Sequence, residues 1–301
     1  MTFRMLAAVF AVMIAQVGST EAWWPRGHGI LTRAAIQALP ADIPAFFREG
    51  ESTIAHCAYD PDLSKNRGTK HLERANHPSH YFNLERLQGK ALPNSRFEFG
   101  RLCEELDVRV EEVGTLPYEA AEWTERLVLA FAEHRRWPEN ENIRQKCLVY
   151  AGYVAHHAQE ICQPLNLTIH WNGRLDTEGK SPRKKTHERM DSLIQFLQLD
   201  PRSLAKDQQP APLPNLLGGI SDQIVLSRKE LDKILDLDDQ IPSASTKAWD
   251  PIPSVREIAV ARARESTRFT AALILTAWEM SSEIRIPGWV DRASADRGDY
   301  R

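Results

Sequence analysis

Apolar residues recur at intervals of three and four through most of this chain, as in Trp123, Leu127, Ala130 and Phe131, and no stretch alternates long enough to read as a strand. That period is the helical one, in which such residues share a face. It predicts helices over 29–39, 43–49, 97–110, 117–136, 141–161, 182–197, 221–237 and 254–283. Thr115 with Pro117, and Ser181 with Pro182, supply helix starts, because proline in the first turn removes only an N–H that would have no intrahelical partner. Two proline-containing polar segments, 200–219 and 238–253, are long for plain connectors. The expected architecture is all-α: a single multi-helix domain over 23–285, followed by a polar tail over 286–301 that ends in "DRASADRGDYR" and is expected to be disordered.

Ahead of that domain, residues 1–22 have the pattern of a secretory signal peptide. Arg4 makes a basic start, an apolar run extends from Met5 to about Val17, and Thr20 and Ala22 give a small-residue end. The run falls short of the roughly 20 residues of a membrane span. Cleavage after Ala22 would leave about 280 residues beginning at Trp23, secreted or periplasmic and without membrane insertion.

Charge bounds how a polyanionic partner could be met. With 38 basic and 41 acidic residues, well mixed, the formal net charge is −3, so no global attraction to nucleic acid or anionic membrane is implied, and any such contact must be local. The four cysteines, Cys57, Cys103, Cys147 and Cys162, are an even number in an exported chain and allow two disulfides. Cys147 and Cys162 lie too far apart along one predicted helix to bond to each other.

Histidines with carboxylates one turn away carry the chemistry. In "YVAHHAQEICQPLN", His156 and Glu160 are four apart on one helix face, and "KKTHERMDS" repeats the interval with His187 and Asp191. Two such pairs facing the interior of a bundle suit Zn²⁺, which takes imidazole and carboxylate ligands. Upstream, Asp60 and Asp62 share a turn-like Asp-Pro-Asp, and His77 and His80 precede Tyr81 and Phe82.

Taken together, these residues resemble the superfamily of zinc-dependent bacterial phospholipases C and single-strand-specific nucleases. The resemblance implies an all-α fold with up to three Zn²⁺ in a cleft. It also implies a mature chain whose first residue, Trp23, binds zinc through its freed amino group, with His28 five positions on in "WWPRGH". The remaining ligands it implies are Asp62, with Asp60 as rival, His80 in "HYFNLE", His156 and Glu160 in "HHAQEICQPLN", and His187 with Asp191. The implied activity is phosphodiester hydrolysis, with Asp62, Glu160 and Lys65 in catalytic roles, Lys65 against a phosphate oxygen. The spacing at the start and "QPL" favour the nuclease branch acting as a monomer on single-stranded nucleic acid. A phospholipase C acting on phospholipid head groups is the alternative, and Trp171, Tyr59 and Tyr81 would serve either as base platforms or as an aromatic cage.

Two positions depart from the family pattern. Glu160 stands where aspartate is usual. Asn166 stands where "QPLH" would end in a zinc-binding histidine, and an amide oxygen is a poorer zinc ligand than imidazole. Either Asn166 or nearby His170 completes that site, or the chain is a catalytically weakened zinc-binding protein. Asn166 also opens an "NLT" glycosylation acceptor.

Overall fold

The computed structural model describes residues 25–292 except 183, 247, 248 and 251. The expected signal peptide, Trp23 and the tail from residue 293 lie outside the described residues. In chain order the helices are α1 (Pro25–Ala38), α2 (Ala45–Glu49), α3 (Glu51–Cys57), α4 (Asp60–Leu63), α5 (Lys70–Asn76), α6 (Arg96–Glu105), α7 (Val110–Val113), α8 (Leu116–Arg136), α9 (Glu141–Ile161), α10 (Thr186–Phe196), α11 (Pro201–Ala205), α12 (Leu216–Arg228), α13 (Leu231–Asp236) and α14 (Pro253–Met280). Short 3₁₀ turns add His77–His80, Leu84–Leu87, Pro164–Leu167 and Asp238–Gln240. Among the described residues no strand occurs, and no helix is long and apolar enough to cross a membrane.

The long helices follow their sequence signals. α8 starts after Thr115 with Pro117 in its first turn and ends on His134, Arg135 and Arg136, cations that favour the negative end of the helix dipole. Asn140 caps α9 by accepting from the Ile143 N–H at 3.1 Å. Three predicted helices behave differently. The 182–197 segment begins only at Thr186, after a left-handed Lys185, so Ser181 and Pro182 do not start it. The 97–110 segment stops at Glu105 because Asp107 turns left-handed (φ 54°). There the Val108 N–H bonds to the Cys103 carbonyl and the Asp107 N–H to that of Glu104, the paired closure of a Schellman motif. The 221–237 segment divides between Arg228 and Leu231. Its first half sends Ile220 and Ile224 into one apolar core and its second half sends Leu231 and Ile234 into another, which a straight helix does not achieve.

Those two cores organise the molecule. The larger is built on α8, α9 and α14, with Phe47, Phe99, Phe131 and Phe269. The smaller gathers Leu31, Met190, Leu193, Ile194, Ile258 and Ala259 from α1, α10 and α14. α1 feeds both, with Ile36 and Leu39 in the first and Leu31 and Ala34 in the second. The polar residues at the C-terminal end of α9, from His156 to Gln163, are fully or almost fully buried.

The four cysteines are free and buried, so the expected pair of disulfides is absent. Each thiol instead fills core space as a small apolar group. Burial pushes all four thiols up, Cys147 to about 12, which suppresses the thiolate that oxidation or exchange requires. Past α14 the chain returns over α8. Arg136 donates to the Ile286 carbonyl, and Arg292 reaches Glu133 at 2.8 Å, so the first residues of the expected tail are tied down.

Gly152 permits a close approach near the histidines, because α3 crosses α9 at this point. A Cβ there would lie 2.5 Å from Cys57 Cβ and 2.9 Å from the Ile54 carbonyl oxygen. Alanine ordinarily favours a helix interior over glycine by about 1 kcal/mol. Here Gly152→Ala is expected to destabilise by about 1–3 kcal/mol, because rigid backbone must shift to admit the methyl. Urea unfolding measures this, and a variant more stable than the parent would overturn the packing argument.

Candidate metal centre

Five elements bring one polar side chain or more to the buried C-terminal end of α9. α1 contributes His28, α4 Asp62, the His77–His80 turn His80, α9 itself His156 and Glu160, and α10 His187 and Asp191. Glu160 Oε1 lies 3.3 Å from both His28 Nε2 and His156 Nε2. Asp62 presents Oδ2 to His28 Nε2 at 3.8 Å and Oδ1 to His80 Nε2 at 3.7 Å. His187 Nε2 lies 3.2 Å from Asp191 Oδ2. A tetrahedral zinc with ligand bonds near 2.0–2.1 Å sets its donor atoms about 3.3 Å apart, a spacing that these separations match about as well as they match ion pairs between histidine and carboxylate. One nitrogen or oxygen each from His28, Asp62 and His156 can be chosen with all separations within 4.8 Å.

Hydrogen bonding fixes which ring nitrogen faces inward. His156 Nδ1 donates to the Ala58 carbonyl at 3.0 Å and His80 Nδ1 to that of Asn76 at 2.7 Å. A carbonyl only accepts, so in each neutral ring Nε2 carries the lone pair. His28 Nδ1 meets Gln159 Oε1 at 2.6 Å, and Gln159 is itself oriented by donating to Thr32 Oγ1 at 2.9 Å. Such outer partners set the tautomer and aim of metal-binding histidines. Buried Asp62 Oδ2, His80 Nε2, His156 Nε2 and His187 Nε2 make no hydrogen bond. Each buried polar atom left so costs about 1–3 kcal/mol, and a cation among them removes that cost.

Electrostatics favours the ligand forms. Burial, reinforced by the Lys65 ammonium and neighbouring imidazoles, holds His80 and His156 well below the ordinary histidine range. Burial and Lys65 push His187 down to about 3. In His28 burial opposes the charge, but hydrogen bonding and the negative charges of Glu160 and Asp62 outweigh it and raise the group. Burial raises Glu160, against the lowering effect of His28.

Lys65 Nζ lies 2.7 Å from Asp62 Oδ1, one turn along from it. Beside the centre opens a cavity of about 270 Å³, lined among others by Lys65, His80, Tyr81, Asn166, Trp171 and His187. Tyr81 donates its hydroxyl to the Glu111 carbonyl, and the Trp171 ring stands 6.4 Å from that of His187. Of the rival aspartates, Asp62 faces His28 and His80, whereas Asp60 is half-buried near His56. His170 accepts at Nδ1 from the Leu175 N–H and is not among the residues lining the cavity. His77 lines the cavity beside Tyr81.

Asn166 is oriented by two acceptors. Its Nδ2 donates to Glu160 Oε2 at 2.5 Å and to the Glu160 carbonyl at 3.3 Å, so the amide nitrogen, not the oxygen, faces Glu160. Gln163 donates likewise to Asp191 Oδ1 at 2.6 Å. Sequence reasoning missed Gln159 and Gln163 as functional residues, and only their adjacency to His156 and Glu160 could have flagged them. No family model matches the chain, and no curated protein matches it.

Removing the Gln159 acceptor frees the His28 ring. Gln159→Leu is expected to weaken Zn²⁺ binding by about 10–100-fold, whereas Gln159→Glu, which keeps an acceptor, retains most of it; metal titration of the stripped protein decides. The depressed histidines also fix a pH dependence. His80, His156, His157 and His187 are held below the unfolded value of about 6.5. As pH falls below that value the unfolded chain therefore takes up protons that the folded centre refuses. The raised His28 and Glu160 act in the opposite sense but are two groups against four. Metal-stripped protein is expected to lose at least about 2 kcal/mol between pH 7 and pH 5, read from urea midpoints, and a flat profile would contradict the burial of unprotonated rings.

Proposed function

We propose that this protein is an exported zinc-dependent phosphodiester hydrolase of the single-strand-specific nuclease type, acting as a monomer with its leader removed after Ala22. What carries the reading is the gathering of His28, Asp62, His156 and Glu160 at separations of 3.3–3.8 Å beside a cavity reached by a lysine. Those residues, with His80 and the His187–Asp191 pair, would hold zinc. When bound, the metal supplies a Lewis acid and brings the pKa of a coordinated water from 15.7 toward about 7.

The remaining work falls to the chain itself. Lys65, held by Asp62 and lining the cavity, places a positive charge where a phosphate oxygen of the substrate rests. Asp62 orients the attacking water toward phosphorus and accepts its proton. Trp171 is 38% exposed, which leaves its ring available to stack a base next to the scissile phosphate. One observation favours phospholipid as a second substrate class. Glu111 and Glu112 line the same cavity as Tyr81, an arrangement of aromatic ring and carboxylates that suits a cationic head group.

Chelation is expected to abolish hydrolysis of a chromogenic phosphodiester, and added Zn²⁺ to restore it. Parallel assays on single-stranded DNA, RNA and phosphatidylcholine rank the substrates. The nuclease reading predicts that single-stranded nucleic acid is cleaved fastest, and faster turnover of phosphatidylcholine would replace it with the second reading. Activity unaffected by chelator would refute both, and a mature mass starting elsewhere than Trp23 would refute the processing step.

A further inference from the structure

α14 passes from one core to the other, and the crossing is polar. Its first turns send Val255, Ile258 and Ala259 into the smaller core, and from Phe269 onward it serves the larger one. Between these stretches, or at their edge, lie Arg262, Ser266 and Thr270, spaced four apart and therefore on one face of the helix. Arg262 is only 8% exposed, and the two hydroxyl residues are fully buried.

Their polar atoms are not used by the chain. Nε and Nη1 of Arg262 make no hydrogen bond, and neither does Ser266 Oγ or Thr270 Oγ1. Other hydroxyls on the same helix behave as buried helical hydroxyls ordinarily do: Thr267 and Thr276 each donate to the carbonyl four residues back at 2.8 Å. Those of Ser266 and Thr270 do not, so both O–H groups are available to another acceptor.

The charges around this face are unequal. Arg268 is paired with Glu265, and it also donates to Gln223 Oε1 of α12 at 3.0 Å. Gln223 in turn donates to Ser227 Oγ at 3.1 Å. Glu265, Arg262 and Arg268 are the charges whose field reaches the buried Cys162 thiol at the end of α9. The seam between α9, α12 and α14 thus holds two guanidinium groups against one carboxylate, and that carboxylate is committed to Arg268. An interior cation without a counter-charge is costly. A guanidinium, more weakly hydrated than an ammonium, is the cation best suited to meet an anion there.

We infer that Arg262 anchors a buried binding site for one monovalent inorganic anion of chloride size in this seam. The groups it offers are all donors: the guanidinium N–H groups and, along the same face, the hydroxyls of Ser266 and Thr270. One negative charge balances the guanidinium left over, whereas a dianion such as sulfate would reverse the excess. Arg262 is neither in the candidate metal group nor among the residues lining the cavity beside it, so the inference stands apart from the hydrolase reading.

Urea unfolding of the mature protein at constant ionic strength, with sodium chloride replaced stepwise by sodium gluconate, tests this. A ligand that binds only the folded chain stabilises it, so the unfolding constant is expected to be at least about tenfold smaller in chloride than in gluconate. Bromide should act like chloride. Arg262→Met should abolish the difference, since it removes the charge and keeps an unbranched side chain. Ser266→Ala should retain the difference but move it to about threefold higher chloride. Crystals of the parent protein soaked in bromide should show an anomalous peak beside the Arg262 guanidinium, which reads the site without any variant. Equal stability in chloride and gluconate, a chloride effect that survives Arg262→Met, or bromide found only elsewhere overturns the inference.

Discussion

The buried carboxylate of Glu160 is the constraint around which the surrounding helices are placed. With no exposed surface, an ionised carboxylate costs several kcal/mol unless its surroundings compensate. The compensation comes from two elements: the Asn166 amide from the turn after α9 and His28 from α1. α1 is therefore bound to α9 by more than apolar contact. Its other residues divide between two cores, and the polar group at its N-terminal end decides how the seam between those cores is closed. Gln159 extends the same tie, since it holds His28 with one end of its amide and Thr32 with the other. A full helical turn of α1 is fixed by one side chain of α9.

What could be read from sequence follows the range over which each signal acts. Pairs four residues apart, His156 with Glu160 and His187 with Asp191, need only one helix to bring them together, and the long helices α8, α9 and α14 carried enough apolar repeats to be seen. Asp60 and Asp62 could not be separated, because a four-residue helix has no periodicity to show which aspartate faces inward. The contacts of Asp62 with Lys65, His28 and His80 supply that answer. α3 and α5 were missed for the same reason of length, and α5 buries no residue at all. Gln159 and Gln163 were illegible in a different way. An amide beside a ligand has no characteristic spacing, and the partners of Gln159 lie 127 and 131 residues away.

The cysteines show a rule applied beyond its physical basis. An even number in an exported chain suggests disulfides mainly for domains too small to build a core. This chain builds two cores, and its thiols serve as packing atoms inside helices. The likeness of "HHAQEICQPLN" to a known metal motif likewise stands on residue order, and its weakest position, Asn166, turns out to have a well-defined partner of its own.

The choice of outer partners gives the site a particular chemical character. Each histidine and carboxylate ligand candidate needs a neighbour to aim it, and a titratable neighbour would change that aim with pH. Here the aiming groups are backbone carbonyls for His80 and His156, and the amides of Gln159, Gln163 and Asn166 for His28, Asp191 and Glu160. None of these titrates in the range where imidazoles do. The scaffold of the centre therefore stays the same across that range, while burial holds His80, His156 and His187 unprotonated. Lys65 is the exception. Its ammonium, paired with Asp62, lines the cavity beside the centre. The cavity thus differs from the centre in character: it carries the Lys65 ammonium on one side of Asp62, while the other side presents imidazole and carboxylate atoms.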